Sequence, residues 1–155
     1  MKMMQAAKAS ARTSASVVNG EGLILGRMCS KVAKRLLNGE QVIVVNAERI
    51  VISGKKKVKV AEGHKFLEVG GPPGQGPFHS RRPDRIVRKT VRGMVPWRQP
   101  KGKTAYKRLK VYLGVPEEFK DKKMETIEEA NASKLTGPHF TLGEFAVLIG
   151  WNQGA

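Results

Sequence analysis

The stretch "QVIVVNA" (residues 41–47) limits the folds open to this chain more than any other. Its centre, Val42 to Val45, is four consecutive apolar residues with β-branched side chains. A run without polar alternation is typical of a strand that is buried on both faces. Such strands occur in sheets with helices packed on each side, so the stretch predicts an α/β fold.

A helical pattern comes directly before this strand, in "LILGRMCSKVAKRLLNGE". Its apolar residues recur at steps of three and four, which predicts a helix with one apolar stripe. The cationic Lys31, Lys34 and Arg35 fall largely off that stripe. Asn38 and Gly39 supply the stop signal. The stripe consists of Leu25, Met28, Val32, Leu36 and Leu37.

Shorter segments continue the alternation of strand and helix. Extended segments are predicted at residues 17–18, 49–54 and 109–114. Residues 61–80 contain "GGPPGQGP", and this region is predicted to be irregular. Strands that alternate with helices predict an α/β domain around a mostly parallel sheet.

Two further helices are indicated by capping signals. Ser80 is expected to cap a helix that has Pro83 near its first turn and ends before Pro96. Thr141 and Glu144 have capping-box spacing at the start of a final helix. A short helix is expected around "KTAYKR". The helix after Pro83 should turn its apolar side inward, namely Ile86, Val87, Thr90, Val91 and Met94.

The chain of 155 residues suits one domain, which we assign to residues 16–155. Residues 1–15 carry Lys and Arg, no acids and no apolar period, so they are predicted to be a disordered basic extension. A transit peptide is the alternative, whereas the apolar block of a secretory signal is missing. The longest apolar runs are far too short to cross a bilayer.

Residues that could carry catalysis or bind a metal are sparse. The single cysteine, Cys29, lies in a helical pattern and is expected to be a packing residue, not a nucleophile. His64, His79 and His139 are far apart and have no close-spaced ligand partner, so no metal site is expected. The sequence has no recognisable nucleophile motif, and we expect no enzyme activity, no cofactor and no small-molecule substrate.

The charge of the chain is strongly unbalanced. The formal net charge is +16 and the isoelectric point is about 10.3, which indicates a polyanionic partner. Nucleic acid is favoured over an anionic membrane surface, because the few Trp and Phe residues are scattered. The segment 81–110 holds twelve Lys or Arg residues and one acid, Asp84. A solvated helix would interleave both signs, so this excess favours phosphate binding.

The tripeptide "GKT" (residues 102–104) suggests the end of a phosphate-binding P-loop. That motif needs a glycine five residues before Gly102, and this position is Trp97. A nucleotide site is therefore not expected, and Lys103 is predicted to contact an RNA phosphate instead.

Several features favour RNA over DNA. No recognition-helix or zinc-finger motif is present. The charge is spread over helix, loop and strand, which suits the surface of a folded RNA better than one groove of a duplex. The residues predicted to bind RNA are Lys55, Lys56, Lys57, His79, Arg81, Arg82, Arg85, Arg88, Lys89, Arg92, Trp97, Arg98, Lys101, Lys103, Lys107 and Arg108.

Longer motifs in the same region carry a family resemblance. "VRGMVP", then five residues, "GK", five residues and "LKVYLG" resembles the signature of the large-subunit ribosomal protein L13 family. The resemblance extends over nearly the whole chain from Val17. "GPFHSRRPDRIVRKTVRGMVP" and "GVPEEFKDKKMETIEEA" resemble the archaeal and eukaryotic branch, and "TLGEFAVLIGW" is similar to the family's C-terminal helix.

The resemblance implies a three-layer α/β/α fold around a small, mostly parallel sheet. It implies a structural role, in which the protein binds large-subunit ribosomal RNA during assembly and in the finished subunit. The implied partners are this RNA and neighbouring ribosomal proteins, with no membrane, and the implied location is the cytoplasmic ribosome. A phosphate-dependent enzyme and a free-standing binder of DNA and RNA, such as a chromatin protein, are the alternatives.

Overall fold

The computed structural model describes residues 15–72 and 74–152. The extension predicted for residues 1–15 therefore lies, apart from Ala15, outside the described residues. The helices are α1 (Leu25–Leu37), α2 (Lys56–Glu68), α3 (Pro83–Met94), α4 (Pro100–Lys107), α5 (Glu117–Lys120) and α6 (Leu142–Leu148). The strands are β1 (Ser16–Asn19), β2 (Val42–Val45), β3 (Val51–Ser53), β4 (Leu109–Val111), β5 (Met124–Glu125) and β6 (His139–Thr141).

The main sheet has four strands in the order β4-β2-β1-β5, and each neighbouring pair is parallel. The register places Val17 opposite Ile43 and Val44 opposite Val111. Parallel neighbours need crossover connections, and α1 forms the one between β1 and β2. The predicted α/β fold around a mostly parallel sheet is confirmed.

Both faces of β2 are buried, as its unbroken apolar run predicts. Val42 and Val44 pack into the larger core together with buried residues of α1, α3 and α4. Ile43 and Val45 face the other way and pack with Val17 and with Phe119 of α5. Helices thus cover both faces, with α1, α3 and α4 on one side of β2 and the single turn α5 with its flanking loops on the other.

A second sheet pairs β3 with β6 in antiparallel orientation, with Ile52 opposite Phe140. The extended segment predicted at residues 49–54 is confirmed in its centre, whereas β6 has no counterpart among the predicted strands. The peptide N–H of Leu142, the first residue of α6, donates to the carbonyl of Ile50 at 2.7 Å. Hence this small sheet fixes the start of α6.

The prediction of an irregular region over residues 61–80 is wrong in its first part, because α2 extends to Glu68. No residue of α2 is fully buried, so the helix has no strong apolar stripe to reveal it. Gly63 lies at its contact with α6, where a β-carbon would be 2.9 Å from the Phe145 ring. Contact with α6 therefore outweighs the weak local propensity of this segment.

Two details predicted for α3 are also wrong. The residue before the first turn is Arg82, not Ser80, and no side chain caps the helix. Pro83 opens the helix directly, and its fixed backbone suits this position. Met94 is 41% exposed because the helix ends there and Val95, in extended conformation, is buried instead.

The capping signal of α6 is partly confirmed. The Thr141 hydroxyl accepts a hydrogen bond from the Glu144 N–H at 3.3 Å. The Glu144 carboxylate does not complete a capping box but accepts a hydrogen bond from Lys56 at 2.7 Å. None of the helices in residues 15–72 and 74–152 is long and apolar enough to cross a membrane.

Candidate nucleic-acid interface

Helix α3 separates apolar and cationic residues onto different sides. Val87 and Val91, one helical turn apart, are fully buried against the core. Arg85, Arg88 and Arg92, spaced at three and four residues, are exposed. The packing of the two valines fixes the rotation of the helix and so fixes where the arginines point.

Acidic partners are distributed very unevenly among the cations. Two cations of α1 are neutralised, because Lys31 pairs with Glu129 and Arg35 pairs with Glu125 at 2.8 Å. Within the segment 81–110, all of which the structure describes, the single ion pair joins Arg82 to Asp84 at 3.1 Å. The other cations of that segment remain without a carboxylate partner among the described residues.

Aromatic rings hold two of these arginines in place. The guanidinium carbon of Arg92 lies 4.2 Å from the centroid of the Trp97 ring, and that of Arg88 lies 5.4 Å from the Tyr106 ring. The two rings meet edge to face at 5.1 Å. A guanidinium whose face rests on a ring can still donate hydrogen bonds from its edge, so both arginines remain available to phosphate.

His79 lies in a cluster of its own beside α3. The Lys89 ammonium lies 2.6 Å from His79 Nδ1, and the Phe66 ring packs on the imidazole with centroids 3.9 Å apart. Partial burial, and secondarily the positive charge of Lys89, lower the pKa of His79. With Lys89 donating to Nδ1, a neutral His79 carries its proton on Nε2.

An open groove of about 550 Å³ joins these elements between α3 and the preceding loop. Its lining includes four cations and no acidic residue. Phe78 stands at this groove with 81% of its surface exposed. We call this site the basic groove; its charged and aromatic residues are Phe78, His79, Arg85, Arg88, Lys89, Arg92 and Tyr106.

The remaining predicted RNA-binding residues lie outside the groove. Lys101, Lys103 and Lys107 are exposed on α4. Arg108 is half-buried and donates to the Leu36 carbonyl at 3.3 Å, which gives it a structural contact at the end of α1. Arg81 packs beside Gly150, and Arg98 is exposed in the loop before α4.

The basic run Lys55 to Lys57 is at the start of α2, and Phe66 near its other end reaches the His79 cluster. Ten residues of helix separate Lys56 from Phe66, or about 15 Å at ~1.5 Å per residue. Lys56 is also paired with Glu144. The lysine run therefore belongs to a different part of the surface.

The tripeptide "GKT" has a packing role at its glycine. A β-carbon at Gly102 would lie 2.1 Å from the carbonyl oxygen of Pro96, so only glycine fits where α4 crosses this loop. Gly102 is buried inside α4, and no glycine-rich loop precedes the helix. This arrangement explains the motif without a nucleotide.

Comparison with known proteins gives a consistent match. The sequence model of the family described as "Ribosomal protein L13" matches residues 13–118. The large ribosomal subunit protein uL13 of Archaeoglobus fulgidus is 46% identical over 138 residues, which cover 88% of each chain. The proteins of the same name from Methanosphaera stadtmanae and Methanococcoides burtonii are 41% and 44% identical; the matches cover 87% of this chain and 96% and 97% of theirs.

The chain belongs to the ribosomal protein L13 family. The resemblance read from "VRGMVP" and "LKVYLG" is thereby confirmed, and the relatives named above are archaeal, in agreement with the predicted branch. The part matched by the L13 family model contains β1, β2 and β4 of the main sheet together with α3 and α4. The basic groove thus lies within the L13 part of the chain.

Two aromatic residues, one in the groove and one beside it, were not predicted from the sequence. Phe66 belongs to a segment read as irregular, so its contact with His79 had no local signal. Phe78 is an isolated aromatic residue between a Gly/Pro-rich loop and the arginines. An apolar ring at such a place, with nothing periodic around it to form a core, is the signal that could have found it.

Proposed function

We propose that this protein is a structural constituent of the large ribosomal subunit that binds large-subunit ribosomal RNA through the basic groove and the exposed lysines of α4. The observation that carries this proposal is the separation of charge. Glu129 and Glu125 of the 115–133 region pair with Lys31 and Arg35 of α1, while the segment 81–110 keeps its cations unpaired except at Arg82. Unpaired like charges repel each other until a polyanion neutralises them.

The placement of the charge suits folded RNA. The groove offers arginines, whose planar donor sets match phosphate, and aromatic rings that hold them. The cations are carried by helices packed on a rigid sheet, so they meet a fixed partner surface at a low entropic cost. On this proposal the protein contributes RNA contacts during subunit assembly, touches neighbouring ribosomal proteins, remains in the cytoplasmic ribosome and catalyses no reaction.

Co-sedimentation tests the proposal directly. The tagged protein, expressed in an archaeal host, should migrate with the large subunit and stay there through a wash at about 0.5 M monovalent salt. In vitro, affinity for large-subunit rRNA should exceed affinity for duplex DNA of equal charge at the same salt concentration. Equal binding to DNA and RNA, without co-migration, would favour the chromatin-type alternative.

A further inference from the structure

We infer that the basic groove binds an unstacked RNA base, which stacks on Phe78 while the α3 arginines hold the flanking phosphates. This inference rests on the proposed function and specifies the RNA element that the groove takes. An RNA backbone alone would need cations but no exposed aromatic ring. The groove contains both, side by side.

Phe78 does not contribute to the packing of the hydrophobic cores, so the fold does not account for its exposed position. With 81% of its surface open to solvent it lies outside both apolar cores. Gly76 lies two residues before Phe78, and a β-carbon there would approach the Phe78 ring to 3.1 Å. The glycine therefore leaves room for the ring in its present orientation. Sequence-tolerant stacking on such rings is the usual way in which proteins hold single-stranded bases.

The other groove residues supply the remaining contacts that a nucleotide needs. Arg88 and Arg92 are already oriented by Tyr106 and Trp97, so their edges can receive phosphates without further ordering. His79 is held by Phe66 and Lys89, and burial and then the charge of Lys89 lower its pKa, which favours the neutral ring. Its Nε2–H is then a neutral donor, suited to a base edge or to a 2′-hydroxyl.

The size of the groove agrees with this occupant. Its volume of about 550 Å³ falls within the roughly 300–1,000 Å³ of typical small-ligand sites. A paired helix presents its backbone and keeps its base faces stacked, so it cannot cover Phe78. An unpaired nucleotide in a loop or bulge can place its base on the ring while its neighbours stay in the helix.

The experiment uses the full chain and protein-free large-subunit rRNA from an archaeon. Phe78→Ala should weaken rRNA binding roughly 5- to 150-fold, the range found when one stacking ring is removed, and should leave the salt dependence unchanged. Phe78→Tyr should retain the affinity. Val147→Ala, which shortens an exposed apolar residue of α6, is the matched control and should bind like the unmodified protein.

Ultraviolet crosslinking followed by nuclease digestion and mass spectrometry should place a single nucleotide on Phe78. The inference is overturned if Phe78→Ala binds rRNA as tightly as the unmodified chain. If that variant keeps its rRNA affinity but no longer enters the large subunit, Phe78 contacts a neighbouring protein instead. Failure of the proposed function looks different, because the unmodified protein would then show neither preference for rRNA nor co-migration with the subunit.

Discussion

The guanidinium of Arg92 stacks on the ring of Trp97, which lies beyond the end of α3, at 4.2 Å from its centroid. One turn earlier, Arg88 lies over the ring of Tyr106 in α4. The rings of Trp97 and Tyr106 contact each other edge to face. Residues of α3 are therefore held by side chains from the loop and helix that follow it. Pre-ordered arginines lose less side-chain freedom on binding RNA than free ones.

Trp97→Leu tests this positioning role. The variant should weaken rRNA binding, but less than Arg92→Gln does, because the charge remains. In the Arg92→Gln background it should add almost nothing, and the coupling should be about 0.5–1 kcal/mol. Filter binding at one salt concentration compares the unmodified protein, the two single variants and the double variant, which together form a double-mutant cycle. Trp97→Phe should retain most of the rRNA affinity, because an aromatic ring remains under Arg92. Strictly additive losses would mean that Trp97 contacts RNA independently of Arg92.

Gly102→Ala should destabilise the fold by about 1–3 kcal/mol, because the new methyl group meets the Pro96 carbonyl and α4 must move. Gly93→Ala is the matched control. Gly93 lies in α3 with nothing within 4 Å of an added β-carbon, so alanine there should stabilise by up to about 1 kcal/mol. Urea denaturation measures both. If Gly102→Ala leaves the free energy of unfolding unchanged, the packing explanation of "GKT" is wrong.

The same variants bear on the rejected nucleotide site. Since the glycine is explained by packing, neither ATP nor GTP should bind stoichiometrically in equilibrium dialysis, with or without magnesium. A magnesium-dependent site lost in Lys103→Ala would reverse this interpretation.

Local patterns predicted those elements whose apolar residues are buried in a regular pattern. The stripe of α1, the buried run of β2 and the valines of α3 each follow from the period of the element that carries them. The Thr141 cap was predictable because capping depends on residues three apart. β6 and α2 were missed, since three residues are too short for a period and α2 buries no residue completely.

The composition of the basic groove depended on contacts that the sequence does not display. Phe66 reaches His79 across thirteen positions and through a helix that was not predicted. Arg108 carried the same signal as its basic neighbours, yet it reaches Leu36 of α1, 72 positions away. Charge counting located the segment, but only packing showed which cations share a groove.

His79 should titrate below the ordinary histidine range in the free protein, since burial and then Lys89 lower its pKa. The folded state thus binds this proton more weakly than the unfolded chain. Its contribution to stability is complete above the ordinary histidine pKa of about 6.5 and falls as pH drops through the lowered value. Lys89→Gln should raise the pKa only part of the way, because burial remains.

An NMR titration of the His79 ring checks this expectation, with Lys103→Gln as a control that keeps the unmodified pKa. A titration at or above the ordinary value in the unmodified protein would contradict the contact between His79 and Lys89.

The thiol of Cys29 should be unreactive towards alkylating reagents in the folded protein. Complete burial in the core raises the pKa of its thiol to about 12. Iodoacetamide at pH 8 should leave it unmodified in buffer and alkylate it readily in guanidinium. Because only the unfolded chain ionises near pH 9, stability should also decrease as pH rises above that value. Rapid alkylation of the native protein would show that α1 opens.

Replacing three cations at a time separates charge that binds RNA from charge that serves the fold. The triple Arg85→Gln, Arg88→Gln, Arg92→Gln removes three unpaired charges from the basic groove. It should lower the slope of log affinity against log salt by about two to three. Stability should change by only about 1 kcal/mol, because relief of repulsion offsets the loss of two cation–π contacts.

The matched triple in α1, Lys31→Gln, Lys34→Gln, Arg35→Gln, removes the same charge and should behave in the opposite way. It breaks the pairs with Glu129 and Glu125, which at exposed sites are worth about 0.2–1 kcal/mol each. The salt slope should therefore change little while stability falls slightly. The two measurements are fluorescence anisotropy with large-subunit rRNA from about 0.1 to 0.4 M salt and thermal unfolding without RNA. If the α1 triple reduces the salt slope as much as the α3 triple, the RNA is held by overall charge and not by the basic groove, because each triple removes three positive charges.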